Sequence, residues 1–473
     1  MTRPHHASLA VLPIGDSEVD ALFSDLGSSK TVVIAVSGGR DSLALVGLLK
    51  VWVDRRRAAG KKPPDLHSVT VDHGIRPEAG DEAQHAAAVS AQIGIPHTTL
   101  TLDLSPATNA ADPISQNQAR NARYEALCEH AIRIGADALV TGHHLEDQAE
   151  TLLMRLARGS GVRGLAGMKA HRSIRDTTDV ASGVTLYRPL LGVSRKRLTA
   201  TLEAAGIDWC DDPSNDNPTY ERARIAAAQD TLDQIGLTKT SIFRTATRLR
   251  DADDALDWTT RHALQDIPEL RAAWHEAAWA VVPQATFSDW PTELAVRALE
   301  YLLTAVGGTT AASRTEPLSR SRLEGLAARI RSRTPFTVTF AGCRLAATEL
   351  RLEVFREPGR DGLPIARLKR DGPTVWDARF VMTGPTTIGD QGCAYAFASL
   401  EKDARFDVEA LRAAKQADTV FASQPRHAAL ALPLVIAADA LIVPITTLEN
   451  AQQQRDFGTW SRQVVTPPWE PHK

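Results

Sequence analysis

Up to about residue 217, short β-branched and aliphatic runs alternate with longer stretches in which apolar residues recur every three or four positions. The runs predict strands at 31–36, 66–72, around 97–102 and at 137–141; the helical patterns between them lie at 41–57, 80–93, 116–134 and 144–158. Gly60-Lys61-Lys62-Pro63-Pro64 and Gly94-Ile95-Pro96 break successive units apart. Alternation of this kind predicts βαβ crossovers, hence an α/β domain over residues 1–218 built on a doubly wound parallel sheet. From Pro218 onward the pattern turns helical. It predicts a helical linker over 219–264, a connecting pair of helices, and then a middle helical domain over 265–357. Phe336–Phe340 and Leu350–Val354 alternate around Gly342, which predicts a hairpin in that domain. Arg356-Glu357-Pro358-Gly359-Arg360 marks the next boundary. Short strand signals such as 433–445 then predict a C-terminal domain over 358–473, so that two smaller α+β domains follow the linker. No internal repeat or low-complexity tract is evident.

At 473 residues the chain exceeds one compact core. Its 54 basic and 57 acidic residues nearly balance, so any nucleic-acid binding must come from local patches. The four cysteines (Cys128, Cys210, Cys343, Cys393) lie far apart without a C-x-x-C pair, which argues against a disulfide framework, a zinc ribbon or an iron–sulfur cluster. No basic segment followed by a long apolar stretch opens the chain, and no apolar run approaches membrane length. A cytoplasmic, soluble protein without membrane association is expected.

The chemistry concentrates at the ends of the predicted strands, where ligands bind in such sheets. Val32-Val33-Ile34-Ala35-Val36 runs into Ser37-Gly38-Gly39-Arg40-Asp41-Ser42 and then into an apolar helix. A strand, a tight glycine turn and a helix N-terminus aim several amides into one concavity, which suits phosphate oxygens. A P-loop would carry a lysine where Asp41 stands. A carboxylate beside phosphates makes sense if it holds a divalent metal that touches them too. The string resembles the PP-loop of the ATP pyrophosphatases, which grip the β- and γ-phosphates of ATP and release pyrophosphate.

The second strand ends in Asp72-His73-Gly74, placed for nucleotide contact or for a structural corner. Arg120 and Arg123 share a helix face within reach of a phosphate, or form a solvated face. After the fourth strand, His143, Asp147, Glu150 and Met154 fall on one helical stripe, with His144 adjacent to it. Hard carboxylates there favour Mg²⁺ over zinc. Arg158 and Arg163 flank a Gly159-Ser160-Gly161 segment suited to clamping a polyanion, and Arg222 and Arg224 follow the turn Asp211-Asp212-Pro213-Ser214-Asn215. The triplet Arg195-Lys196-Arg197 reads as a solvated face.

Taken in order, SGGRDS, VDHGIR, ARNARY, GHHLEDQAET, RLARGSGVRGLAGM, RPLL and DDPSNDNPTYERARI closely resemble the tRNA(Ile)-lysidine synthase family over roughly residues 30–226. The resemblance implies ATP-dependent adenylation of the wobble cytidine in the CAU anticodon of an isoleucine tRNA. Free L-lysine then displaces AMP, and the lysidine formed reads AUA instead of AUG. It implies ATP binding by Ser37, Gly38, Gly39, Arg40, Asp41, Ser42, Asp72 and His73, with Mg²⁺ on Asp41 and Asp147. It places the chemistry at Asp41, Asp147, His143 and His144, and tRNA contacts at Arg120, Arg123, Arg158, Arg163, Arg222 and Arg224, with the C-terminal domain also holding tRNA. Either histidine is a candidate proton acceptor. Lysine offers a carboxylate and ammonium groups, for which Arg188 and Glu150 are the candidates. The family's usual His-x-Asp-Asp here reads His144-Leu145-Glu146-Asp147, which leaves the role of Glu146 open. A homodimer also remains open. The competing readings are a PP-loop tRNA thiolase, which would need paired cysteines, another ATP-dependent adenylating synthetase, and a non-enzymatic nucleotide-binding module.

Overall fold

A computed structural model describes residues 11–72, 78–102, 116–175, 181–210, 221–308 and 318–358, and short stretches beyond. They form two compact units whose boundary falls at Asp253/Asp254, inside one long helix.

The first unit is built on a six-stranded sheet of order β3-β2-β1-β4-β6-β5. Its strands are β1 (Thr31–Ala35), β2 (Asp65–Asp72), β3 (His97–Thr101), β4 (Ala138–Val140), β5 (His171–Arg175) and β6 (Ala181–Tyr187). All neighbours run parallel except β5, which pairs antiparallel with β6. Its helices are α1 (Asp16–Leu22), α2 (Arg40–Ala58), α3 (Glu78–Ile93), α4 (Gln116–Arg133), α5 (Leu145–Ala157), α6 (Val162–Leu165), α7 (Arg195–Ala205), α8 (Glu221–Ala227), α9 (Gln229–Gln234) and α10 (Lys239–Gln265).

The continuous apolar run of β1 follows from burial on both faces. Val32 and Ile34 pack with Leu45, Leu49 and Trp52 of α2 and Leu198 and Leu202 of α7. Val33, pointing the other way, packs with Leu127 and Ala131 of α4. From β1 the chain steps outward through β2 to β3, then returns by α4 to β4 on the opposite side of β1. The strand order therefore reverses between β1 and β4, which opens a crevice at their carboxyl ends.

The doubly wound sheet, its first four strands and their helices lie where the sequence pattern puts them. β5 and β6 were not expected: His171 and Arg172 belong to a strand. Three helices, not two, occupy 221–265. The second unit contains α11 (Pro268–Ala277), α12 (Gln284–Asp289), α13 (Thr292–Val306) and α14 (Arg320–Arg331) beside a sheet of order β7-β10-β9-β8. These strands are β7 (Ala280–Pro283), β8 (Phe336–Phe340), β9 (Cys343–Ala347) and β10 (Arg351–Arg356). The hairpin expectation needs correction here, because β8 and β10 are not neighbours. Each pairs with β9, whose Cys343, Leu345 and Ala347 face the core. Beyond β10 the described residues form a four-stranded and a three-stranded sheet. Among the described residues, no helix is long and apolar enough to cross a membrane.

Candidate functional site

The turn after β1 is shaped by Gly38, whose φ of +77° lies in the left-handed region and whose added Cβ would stand 2.6 Å from the Glu82 carbonyl oxygen. Gly39 is the N-cap of α2, and the first amides of a helix have no partner within the helix itself. Ser42 braces the turn: its hydroxyl accepts from the Ser37 amide at 3.1 Å and donates to the Gly39 carbonyl at 2.9 Å. The Cys210 amide donates to the Gly38 carbonyl at 3.1 Å. Arg40 lies over the Trp209 ring, 5.4 Å from its centroid.

The turn after β4 packs onto this one. A Cβ at Gly142 would stand 2.9 Å from the Asp41 carbonyl oxygen, so the two turns can approach only without a side chain there. α5 starts at Leu145 with His144 as its N-cap, and the Asp147 carboxylate accepts the His144 amide at 2.9 Å. The helical stripe through His143 is thereby corrected: His143 precedes the helix, and its Nδ1 lies 2.9 Å from the Thr141 hydroxyl.

His144 is the hub. Its Nε2 lies 3.1 Å from Asp41 Oδ2 and 3.6 Å from Asp147 Oδ2, and its Nδ1 lies 3.1 Å from Glu146 Oε2. Asp41 and Asp147 thus meet at one nitrogen from two different strands. Burial works against a charged imidazole, but the bonds to Asp41 and Glu146 and the nearby Asp147 charge outweigh it and push His144 up to about 10. For Glu146, burial works upward. The His144 ring, the Arg195 amide and the Lys239 charge overcome it and hold the carboxyl near 2. Asp147 is drawn below the carboxylate range, against burial, by His144, His143 and Arg222. Glu150 moves the other way, raised by burial and by the Asp147 charge.

Among the described residues, no group of three or more His, Cys, Asp or Glu is arranged to hold a metal by itself. The pair Asp41 and Asp147 nevertheless suits Mg²⁺. Both are hard oxygen donors, and Asp41 Oδ1 is buried with no hydrogen-bond partner.

A family model described as a PP-loop domain matches residues 13–228. The tRNA(Ile)-lysidine synthase of Rhodopseudomonas palustris is 37% identical over 354 residues, covering 74% of this chain and 97% of that protein. The chain belongs to the tRNA(Ile)-lysidine synthase family. Proteins of the same name from Novosphingobium aromaticivorans (40% identical, 60% of this chain and 78% of that one) and a Bradyrhizobium species (42%, 52% and 64%) are similar as well.

The other candidate residues of this tRNA(Ile)-lysidine synthase family member fall as follows. Asp72 ends β2, at the same edge of the sheet as the turns after β1 and β4. Arg188 follows β6, is buried, and donates to the Lys169 carbonyl at 2.9 Å. Arg222, on α8, lies 3.7 Å from Asp147 Oδ1. Arg158 pairs with Glu221, and Arg163 Nε lies 3.7 Å from Asp253 Oδ1. Arg123 and Arg224 are exposed. His73 and the Arg120 side chain lie outside the described residues. Arg155, on the last turn of α5, donates to the Gly164 and Gly167 carbonyls at 2.8 and 3.1 Å.

Two cations at the site were not anticipated. Lys239 Nζ lies 3.5 Å from Glu146 Oε1, and Arg195 reaches His144. Ser194 stands at the N-cap position of α7, and a serine followed by arginine at a helix start was the available signal. A cation in the first turn opposes the helix dipole and so calls for an anion nearby.

Proposed function

We propose that this protein ligates lysine to C2 of the wobble cytidine in the CAU anticodon of an isoleucine tRNA, with ATP as the activating co-substrate. The observation that supports it best is the convergence of Asp41 and Asp147 on His144 at the β1/β4 crevice, directly beside the phosphate-type turn.

In the first step the cytidine O2 attacks the α-phosphorus of ATP. A new P–O bond forms, the bond from the α-phosphorus to the bridging oxygen breaks, and pyrophosphate leaves. The turn from Ser37 to Ser42 holds the phosphates through its amides and its serines. Asp41 and Asp147 would hold Mg²⁺, which when bound neutralises charge on the phosphates. Adenylation converts a poor leaving oxygen into AMP.

In the second step the lysine ε-amine attacks C2 and AMP leaves with the former O2. The amine must be uncharged, so a nearby group takes its proton. Both ring nitrogens of His144 face carboxylates, which leaves His143 as the acceptor. Glu150 receives an ammonium group of lysine, and Arg188 receives its carboxylate. Arg123, Arg158, Arg163, Arg222 and Arg224 supply phosphate contacts for the tRNA. The second unit adds faces suited to RNA, with Arg329 4.1 Å from the centroid of Phe336 and Arg322 5.8 Å from that of Phe340.

The test is pyrophosphate release from ATP in the presence of an unmodified isoleucine tRNA transcript bearing CAU. Sustained release and AMP formation that require both the transcript and lysine are expected, with no more than one pyrophosphate per enzyme before lysine is added and a methionine tRNA of the same anticodon rejected. Turnover without lysine, or with the methionine tRNA equally, overturns the reading.

A further inference from the structure

Arg195 has an unusual set of contacts. It is the first residue of α7, and its backbone amide donates to Glu146 Oε2 at 2.9 Å. The start of α5 returns the clamp, since the Leu145 amide donates to the Val193 carbonyl at 3.0 Å. So held, the guanidinium places Nη2 and Nε 3.3 and 3.4 Å from His144 Nε2. That nitrogen already faces Asp41 Oδ2 at 3.1 Å.

The three groups cannot all be matched. An imidazole nitrogen either donates to Asp41 or accepts from Arg195, because a carboxylate only accepts and a guanidinium only donates. Whichever bond forms, the other contact is left without its complement. The one carboxylate oxygen within 4 Å of the guanidinium among the described residues, Asp41 Oδ2, stays at 3.9 Å from Nε. The arginine also sits at the positive end of α7, with no acid in that helix's first turn. Yet 43% of its side chain remains open to solvent. A fork of N–H donors fixed from behind, poorly matched in front and adjacent to the phosphate turn is a receptor for an anion.

We propose that Arg195 binds a non-bridging phosphate oxygen of ATP during adenylation, and that Glu146 is the positioning residue that aims it. This rests on the ATP-dependent reaction above and adds a residue to it. It also gives Glu146 a reason for its length. The acid reaches across from the start of α5 to the first amide of α7 while keeping its second oxygen 3.5 Å from Lys239 Nζ.

Three variants test it: Arg195→Ala, Arg195→Lys and Glu146→Asp. With tRNA and lysine saturating, Arg195→Ala should lose about 100-fold in kcat/KM for ATP, with the half-saturating lysine concentration unchanged. Free guanidinium should restore part of that loss. Arg195→Lys, which keeps the charge but not the fork, should recover only part of the activity. Glu146→Asp should lose less than Arg195→Ala and gain nothing from guanidinium, because its arginine is present but misaimed. Calorimetric titration of ATP alone should show affinity lowered by about tenfold in Arg195→Ala, whatever the acceptor substrate is. Wild-type ATP affinity and kcat/KM in Arg195→Ala overturn the proposal. So does a loss accompanied by a lower melting temperature and no guanidinium rescue, which makes the residue structural. If the wild type fails to modify a CAU transcript while Arg195→Ala still weakens ATP binding, the lysidine reading fails and the phosphate role survives.

Discussion

His144 Nε2 lies 3.1 Å from Asp41 Oδ2, and this contact joins the turn after β1 to the turn after β4 across the point where the sheet reverses its strand order. The two residues are separated by 103 positions in the chain. Their meeting depends on β1 and β4 being parallel neighbours, paired from Val32–Ala138 to Ile34–Val140. It places an acid that suits a metal within reach of a second acid, Asp147, on the same imidazole nitrogen.

Asp41→Asn should therefore strike chemistry more than folding. The amide still offers an oxygen to His144 but no charge to a metal. Pyrophosphate release should fall by about 100-fold or more, while the melting temperature moves little. Activity close to wild type would show that Asp41 holds no essential ion.

Much of this site is legible in the sequence, and the omissions share a cause. The apolar run of β1 and the glycine turn after it announce themselves because both patterns are local. So does the acid-rich segment after β4. Its register was harder: a regular stripe from His143 ignores that His144 is the N-cap, a fact set by the Asp147 carboxylate folding back on the His144 amide. Arg195 was hidden for another reason. A basic triplet at a helix start looks solvated until the fold brings Glu146 to the Arg195 amide, whereas Arg197 in the same triplet pairs with Glu18 and donates to the Leu12 and Pro13 carbonyls. β9 escaped because its core-facing set, Cys343, Leu345 and Ala347, ends in a weak strand former.

The Glu146 carboxyl, held near 2 against an ordinary 4.5, ties stability to pH. A depressed folded pKa means stability that is present above about 4.5 and lost as pH falls through about 2. Glu146→Gln should accordingly melt below the wild type at pH 6. The gap should narrow as both are acidified from pH 4.5 toward pH 2. A gap independent of pH would mean that the ionised form of Glu146 contributes nothing.

A second acid-sensitive group lies on the sheet away from the site. His67 on β2 and His130 on α4 have ring centroids 5.3 Å apart, and neither ring nitrogen of His130 meets a hydrogen-bond partner among the described residues. Burial pushes both of them and His97 below the usual histidine range. The unfolded chain then takes up more protons, so this contribution is complete above about pH 6.5 and declines as pH falls below it. His130→Leu should raise the melting temperature more at pH 5.5 than at pH 8. Equal shifts at both would exclude titration as the cause.

Arg222 touches Asp147 at 3.7 Å but leaves 42% of its side chain exposed. If it contacts one tRNA phosphate, Arg222→Ala should weaken tRNA binding and reduce the slope of log K against log salt by about 0.7–0.9. An unchanged slope with impaired turnover would instead assign it to the carboxylates of the site.

In the function proposed above, lysine selection turns on Glu150. Its carboxyl sits one helical turn beyond Asp147, and burial together with the Asp147 charge raises its pKa. Arg222, Arg195 and His144 offset that rise only in part, so an ammonium group arriving beside Glu150 would add counter-charge, with Asp147 left to the metal. Glu150→Gln keeps the shape and removes the charge. A charge-assisted bond of about 1.5–3 kcal/mol corresponds to a half-saturating lysine concentration raised at least tenfold, with ATP binding spared. The raised pKa adds a signature that a purely structural residue lacks. As pH falls and Glu150 takes up a proton, the wild type should need more lysine, whereas the Gln variant should show no such dependence from this group. Titrating lysine for both proteins across pH 5.5–8 checks both points. Equal half-saturation, or parallel pH profiles, would place the ammonium elsewhere.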